Sequence, residues 1–318
     1  MRLRIDPWDP EYGASAEFEI DLEPPVGLDL TSEVAGDWQP IPAAALARVP
    51  SCAFVDGVRR IDARLFAEDG AVEAPALAGS LAVGCAWSTR PPKVDSVVVG
   101  RELVVGAGLA PDALAVEVGG RAVEFRPSSV PGSAPLDPLR GLQNAMRATE
   151  AELAEAILRS GDADLVVSDG PLSYFAPGPA IGLVKRQSRS YLDPPRAAVL
   201  GALGPGDRTP IFKLGEQRLE RFSWYLRLAP RRAIEGTMAG VVRLEVAASA
   251  GLAAAQALAE LSGSVLPLFA SKPGRDPRAP QNLYPVGALE AHLRRRLGDQ
   301  YLIHRALEAR LYMEVHNA

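Results

Sequence analysis

Cys52-Ala-Phe-Val-Asp-Gly-Val-Arg-Arg-Ile-Asp-Ala-Arg-Leu65 is the stretch whose reading decides the fold. Cys52 to Val55 is a short apolar run, long enough for one buried strand. Asp56-Gly57 follows as a hairpin-turn dipeptide, and Arg59 to Leu65 alternates as a half-buried return strand does. This predicts a carboxylate at the end of a central strand, with arginines behind it. An isolated Asp-Gly needs no more explanation than a turn. Here the pattern recurs: Asp164-Leu-Val-Val-Ser-Asp169-Gly170 is again a strand that ends in Asp-Gly.

The segments between these two copies fix their relation. Gly79 to Thr89 reads as a third strand, so the chain begins its core with an antiparallel meander. Residues 92–130 read as a β-rich insertion, with Gly119-Gly120 as a hairpin turn. Leu139 to Ser160 is the clearest helix, with Leu142, Met146, Leu153 and Ile157 on one face. Glu150 lies on that apolar stripe, where a carboxylate is costly unless something binds it; Glu152 lies off it. A meander, a helix and a further parallel strand give the order of a ribonuclease H-like α/β fold, a mixed sheet flanked by helices. In that fold the first and fourth strands are neighbours, so Asp56 and Asp169 end together and Glu150 reaches them from the helix.

Clustered carboxylates do not all ionise cheaply without a cation between them. Hard divalent ions prefer oxygen ligands, and Mn²⁺ also accepts an imidazole. His292, on a helix opened by Tyr284-Pro285, is the candidate nitrogen ligand, although a solvent-facing residue beside Arg294 to Arg296 reads the same way. One or two such ions would activate water and stabilise the departing oxygen of a phosphodiester.

The motifs Phe-Val-Asp56-Gly57, Met-Arg-Ala-Thr-Glu150, Leu-Val-Val-Ser-Asp169-Gly170-Pro-Leu, Ile-Gly-Leu-Val-Lys185 and Tyr284-Pro-x6-His292 together resemble the NurA nucleases, partners of the HerA-type hexameric ATPase. The resemblance runs from about residue 50 to the C-terminus. It implies a Mn²⁺-dependent deoxyribonuclease, weaker with Mg²⁺, that acts as a homodimer in DNA end resection and break repair. It implies a 5′-to-3′ exonuclease and a single-strand endonuclease. Carried over by position, Asp56, Glu150, Asp169 and His292 match the metal ligands, and Tyr284 matches a catalytic tyrosine able to touch a phosphate or stack on a base. Arg59 and Lys185 are candidate phosphate contacts. Where the family usually has a small residue after Asp-Gly, this chain has Val58.

Composition is compatible with this and narrows the alternatives. The 318 residues are 47% hydrophobic, enough for a substantial core. Net charge is −5, yet residues 1–90 carry 15 acids against 7 bases and residues 185–318 carry 20 bases against 12 acids. Such asymmetry suits a protein that meets a polyanion with one face. The two cysteines, Cys52 and Cys85, sit in apolar runs and read as buried thiols of a reducing compartment. With no signal-peptide pattern, and with Ala247 to Leu261 short and polar for a bilayer span, the expectation is a cytoplasmic protein without membrane contact. Residues 1–50 read as an irregular acidic arm with a short strand at Ala14 to Ile20, residues 51–318 as the nuclease domain, and residues 271–283 as a mobile basic loop. There is no GxxxxGK[ST], so any motor must be a partner. A decayed metal-binding subunit, or a non-catalytic adaptor docking on a DNA-translocating ATPase, are the other readings.

Overall fold

The computed structural model describes residues 1–5, 27–89, 92–172, 178–186, 190–215 and 220–316. The expected strand at Ala14 to Ile20 lies outside them. In chain order the strands are β1 (Arg2–Ile5), β2 (Leu28–Asp29), β3 (Cys52–Asp69), β4 (Val72–Trp87), β5 (Lys93–Val105), β6 (Leu114–Val118), β7 (Arg121–Ser129), β8 (Leu165–Asp169), β9 (Ala180–Val184), β10 (Phe212–Leu214), β11 (Arg221–Arg227) and β12 (Val241–Ala247). The helices are α1 (Asp137–Ser160), α2 (Pro194–Ala197), α3 (Val199–Ala202), α4 (Leu252–Val265), α5 (Tyr284–Arg296) and α6 (Gln300–His316).

The opening stretch does not turn at Asp56-Gly57. It runs on as one 18-residue strand, β3, and reverses thirteen residues later at another Asp-Gly, Asp69-Gly70. Asp69 pairs with Val72, which leaves Gly70 and Ala71 as a two-residue hairpin loop, and Gly70 has φ of +60°. That left-handed backbone is what such a loop asks of its first residue. Asp56 instead pairs with Gly84 in mid-strand. The meander is therefore β3-β4-β5, and residues 93–105, expected within an insertion, form its third strand. The protruding hairpin is β6-β7, with Gly119-Gly120 at its turn as expected.

All the strands join one mixed sheet in the order β2-β10-β11-β12-β9-β8-β3-β4-β5-β7-β6, with β1 added to the far half of β3. β8 pairs with β3 in parallel, from Cys52↔Leu165 to Val55↔Ser168, and β9 is parallel to β8. β1 and β2 come from residues 1–50, so the described parts of that arm contribute sheet edges and not only irregular chain. Trp38 is buried there against Phe212.

Strand side chains alternate between faces, and β3 shows it. Ala53 and Val55 face α1, with Leu142, Met146 and Ile157. Cys52, Phe54 and Val58 face the opposite layer, with Leu289 and Leu293 of α5 and Ala255 and Ala259 of α4. α6 covers the far half of β3 and the β6-β7 hairpin through Ile303, Leu307 and Leu311. Leu252–Phe269 is long and apolar enough to cross a membrane by composition, but 44% of it is buried in this core. Both cysteines are buried and free, and burial pushes each thiol up to about 12.

The basic segment 271–283 is closed at its base by an Ala270↔Leu283 bridge. Within it, the backbone N–H groups of Ser271, Ala279 and Asn282 donate to Asn282, Asp276 and Arg278 carbonyls. These bonds run within the segment and join its two ends.

A candidate metal centre between two strands and a late helix

Parity along β3 and β8 places the first two acids. Asp56 is in step with Phe54, and Asp169 with Val167, so both face the α5 side of the sheet. Val55 pairs with Ser168 and β8 ends at Asp169, so the two carboxylates lie side by side where the parallel pairing stops. From α5 a third acid arrives that the sequence reading passed over, Glu290. Ligand oxygens of Asp56, Asp169 and Glu290 all lie within 4.8 Å of one another.

Glu150 approaches from the other layer. Gly57 points at α1, and a Cβ there would lie 2.6 Å from Glu150 Oε1 and 2.9 Å from Met146 Cγ. The glycine of Asp56-Gly57 is therefore a matter of space, since it lets the helix carboxylate press against the strand beside Asp56. Glu152, two residues on, is exposed.

Electrostatics make this a strained collection of like charges. Burial, then the charges of Asp169 and Glu150, push Asp56 well above the usual carboxylate range, against the pull of Lys185. Burial also raises Asp169, with Lys185 opposing. Glu150 is pushed up to about 8 by burial and by Asp169. Two cations answer part of this. Lys185 Nζ lies 2.6 Å from Asp169 Oδ2, and Arg278 grips Glu290 with Nη1–Oε1 at 2.6 Å and Nη2–Oε2 at 2.7 Å.

Asp56 is the acid left over. Its Oδ1 accepts the Gly57 N–H at 2.8 Å, while its buried Oδ2 has no hydrogen-bond partner among the described residues. A buried carboxylate oxygen without a donor is costly, and a cation among the three acids would satisfy it. The donor set is all oxygen, which suits a hard divalent ion such as Mg²⁺ or Mn²⁺. Asp56, Asp169 and Glu290 thus could hold a metal ion, with Glu150 at its margin.

The remaining sequence candidates are spread around this centre. His292 is half-buried on α5 and is not in the carboxylate group; two residues beyond Glu290, it points about 200° away around the helix. Tyr284 opens the same helix, is 51% exposed, and packs on Phe269 with ring centroids 5.6 Å apart. Arg59 Nε donates to Gln143 Oε1 on α1 at 2.6 Å, which holds it on the helix side of the sheet. Glu290 did carry a sequence signal. It lies four after Val286 and three before Leu293, both buried, which is the same stripe placement that singled out Glu150.

A mixed α/β sheet with acids converging where two parallel strands meet defines a site whose oxygen donors could hold a cation. The comparisons sharpen that. Residues 93–292 match the NurA domain, and the chain belongs to that family. The matched span contains Glu150, Asp169, Lys185, Glu290 and His292, and Asp56 precedes it. Among solved structures, the NurA nuclease from Sulfolobus solfataricus is similar, with 11% identity, a TM-score of 0.48, and coverage of 87% of this chain and 88% of that chain. No curated protein matches the sequence.

Proposed function

We propose that this protein is a divalent-metal-dependent deoxyribonuclease with a ribonuclease H-like core. The observation that carries this is the acid group at the β3/β8 junction, with the Oδ2 of Asp56, unpartnered among the described residues, inside it. The strand order β5-β4-β3-β8-β9, with α1 between β5 and β8, supports the ribonuclease H-like reading. Membership of the NurA domain family supports the nuclease reading.

When bound, one or two metal ions supply an activated water and charge stabilisation for the departing oxygen. Asp56, Asp169 and Glu290 would hold them, and Glu150, protonated at neutral pH without metal, would join as the acid charges are neutralised. Lys185 and Arg278 are placed to meet phosphate charge. Tyr284, exposed at the start of α5, offers a ring for a base or a hydroxyl for a phosphate. The three acids alone suit either ion, so a preference for Mn²⁺ over Mg²⁺ would require His292 to turn from its present direction into the site. The family resemblance extends the proposal to 5′-to-3′ trimming and single-strand cleavage in end resection, as a cytoplasmic homodimer working with a HerA-type ATPase.

Incubation of the pure protein with single- and double-stranded DNA in Mn²⁺, Mg²⁺ or EDTA tests it. Cleavage with metal and none with EDTA is expected. Absence of cleavage under every metal, on both DNA forms, would refute the enzyme reading and leave an adaptor. Co-elution with a HerA-type ATPase, and light scattering of the protein alone, check the partner and the dimer.

A further inference from the structure

Arg278 pairs with one of the acids that would hold the metal. It sits on the 271–283 segment, and its fork covers both oxygens of Glu290, at 2.6 and 2.7 Å. Its side chain is 45% exposed, whereas that of Glu290 is 14% exposed. The arginine is itself aimed by Asp276, whose Oδ1 accepts the Arg278 backbone N–H at 2.8 Å and lies 3.4 Å from Nε. A guanidinium fork fits a phosphate as well as it fits a carboxylate. A cation bound among the acids would take one oxygen of Glu290, and Arg278 covers both. Arginine and metal therefore compete for one carboxylate, and Arg278 is the more exposed member of its pair with Glu290, open to an incoming polyanion.

We propose that Arg278 is exchanged between Glu290 and substrate: a nucleic-acid phosphate entering from solvent takes the guanidinium and frees Glu290 to bind the metal. The inference rests on the nuclease reading above. It makes metal and DNA binding cooperative, and such coupling is reciprocal. In the DNA-free protein the clamp weakens metal binding; with DNA present it does not.

The test is isothermal titration of Mn²⁺ into wild type, Arg278→Ala and Arg278→Lys, each with and without a short phosphorothioate single-stranded oligonucleotide. Wild type should bind Mn²⁺ about tenfold more tightly with the oligonucleotide, the equivalent of releasing one charge-assisted hydrogen-bonded pair. Arg278→Ala should already bind Mn²⁺ that tightly alone and gain little from the oligonucleotide. In EDTA, its oligonucleotide affinity should be lower, with the slope against log salt reduced by about one. Arg278→Lys keeps the charge without the fork; it should retain the salt slope, show a smaller gain in Mn²⁺ affinity, and serve if the alanine variant unfolds. Equal Mn²⁺ affinity in wild type and both variants, or an unchanged salt slope in Arg278→Ala, would overturn the exchange and leave Arg278 as an anchor of its segment. Asp56→Asn separates this from failure of the site itself: Mn²⁺ binding that survives that change refutes the metal centre, whatever Arg278 does.

Discussion

β3 carries two buried aspartates six residues apart, and they are satisfied in opposite ways. Asp62 is fully buried; Arg60 Nε lies 2.8 Å from its Oδ1, Ser80 Oγ donates to its Oδ2, and Arg101 Nη1 is 3.9 Å from Oδ2. The same arginines reach the α5-α6 joint, Arg60 to Gly298 O at 2.7 Å and Arg101 to Leu297 O at 3.0 Å. Asp56, also buried, has one backbone N–H and an Oδ2 without a partner among the described residues. Burial raises the pKa of both, so the shift alone does not tell them apart. The neighbours do: around Asp62 they are positive, around Asp56 chiefly negative. A buried acid with its own arginines holds a fold together, and one among other acids awaits a cation.

The hardest blow to this contrast is a pair of substitutions. Asp56→Asn should abolish DNA cleavage, a loss of at least about a thousandfold, while melting temperature stays level or rises as repulsion is relieved. Asp62→Ala should do the reverse. It strands Arg60 and Arg101 and should cost about 3–5 kcal/mol of stability in urea unfolding, while the folded fraction still binds Mn²⁺. Activity retained in Asp56→Asn, or stability retained in Asp62→Ala, breaks the distinction.

On α5 the comparison narrows to two residues. Glu290→Gln should weaken Mn²⁺ and Mg²⁺ binding alike, by at least about tenfold, or ~1.4 kcal/mol. His292→Ala should lower activity with Mn²⁺ more than with Mg²⁺. An unchanged ratio of the two rates would place His292 outside the ligand shell.

Gly57→Ala probes the space left for Glu150. A methyl group 2.6 Å from Oε1 must displace the carboxylate and Met146, at a cost of about 1–3 kcal/mol typical of overpacking. Glu150→Ala in the same chain should return part of that loss. Strict additivity of the two changes would show that they do not touch.

The same acid also predicts a pH slope. Glu150 is raised to about 8 in the fold from an ordinary 4.5, so the folded state holds a proton that the unfolded chain has released. The contribution of Glu150 to metal-free stability is then fully present below about pH 4.5 and falls toward pH 8, by at most about 1.4 kcal/mol per pH unit for one proton. Urea midpoints in EDTA should show this slope, and Glu150→Gln should flatten it. Mn²⁺ affinity should rise over the same window as the proton is given up.

The sequence by itself determined the local pieces: the α1 stripe that carries Glu150, the β-rich runs, the strand end at Asp169-Gly170 and the order of the two Asp-Gly motifs along the chain. These depend on periodicity and on motif, which are properties of neighbouring residues. Tertiary structure decided the rest. Whether Asp56-Gly57 turns or runs on depended on pairing with β4 across 16 matched positions, a long-range ladder that outweighs a dipeptide's turn preference. Strand parity put Asp56 and Asp169 on the α5 face and Gly57 on the α1 face, so the third acid of the group came from Glu290, over a hundred residues beyond Asp169 in the chain. Which acids share a cation depends on which faces meet, and only packing brings faces together.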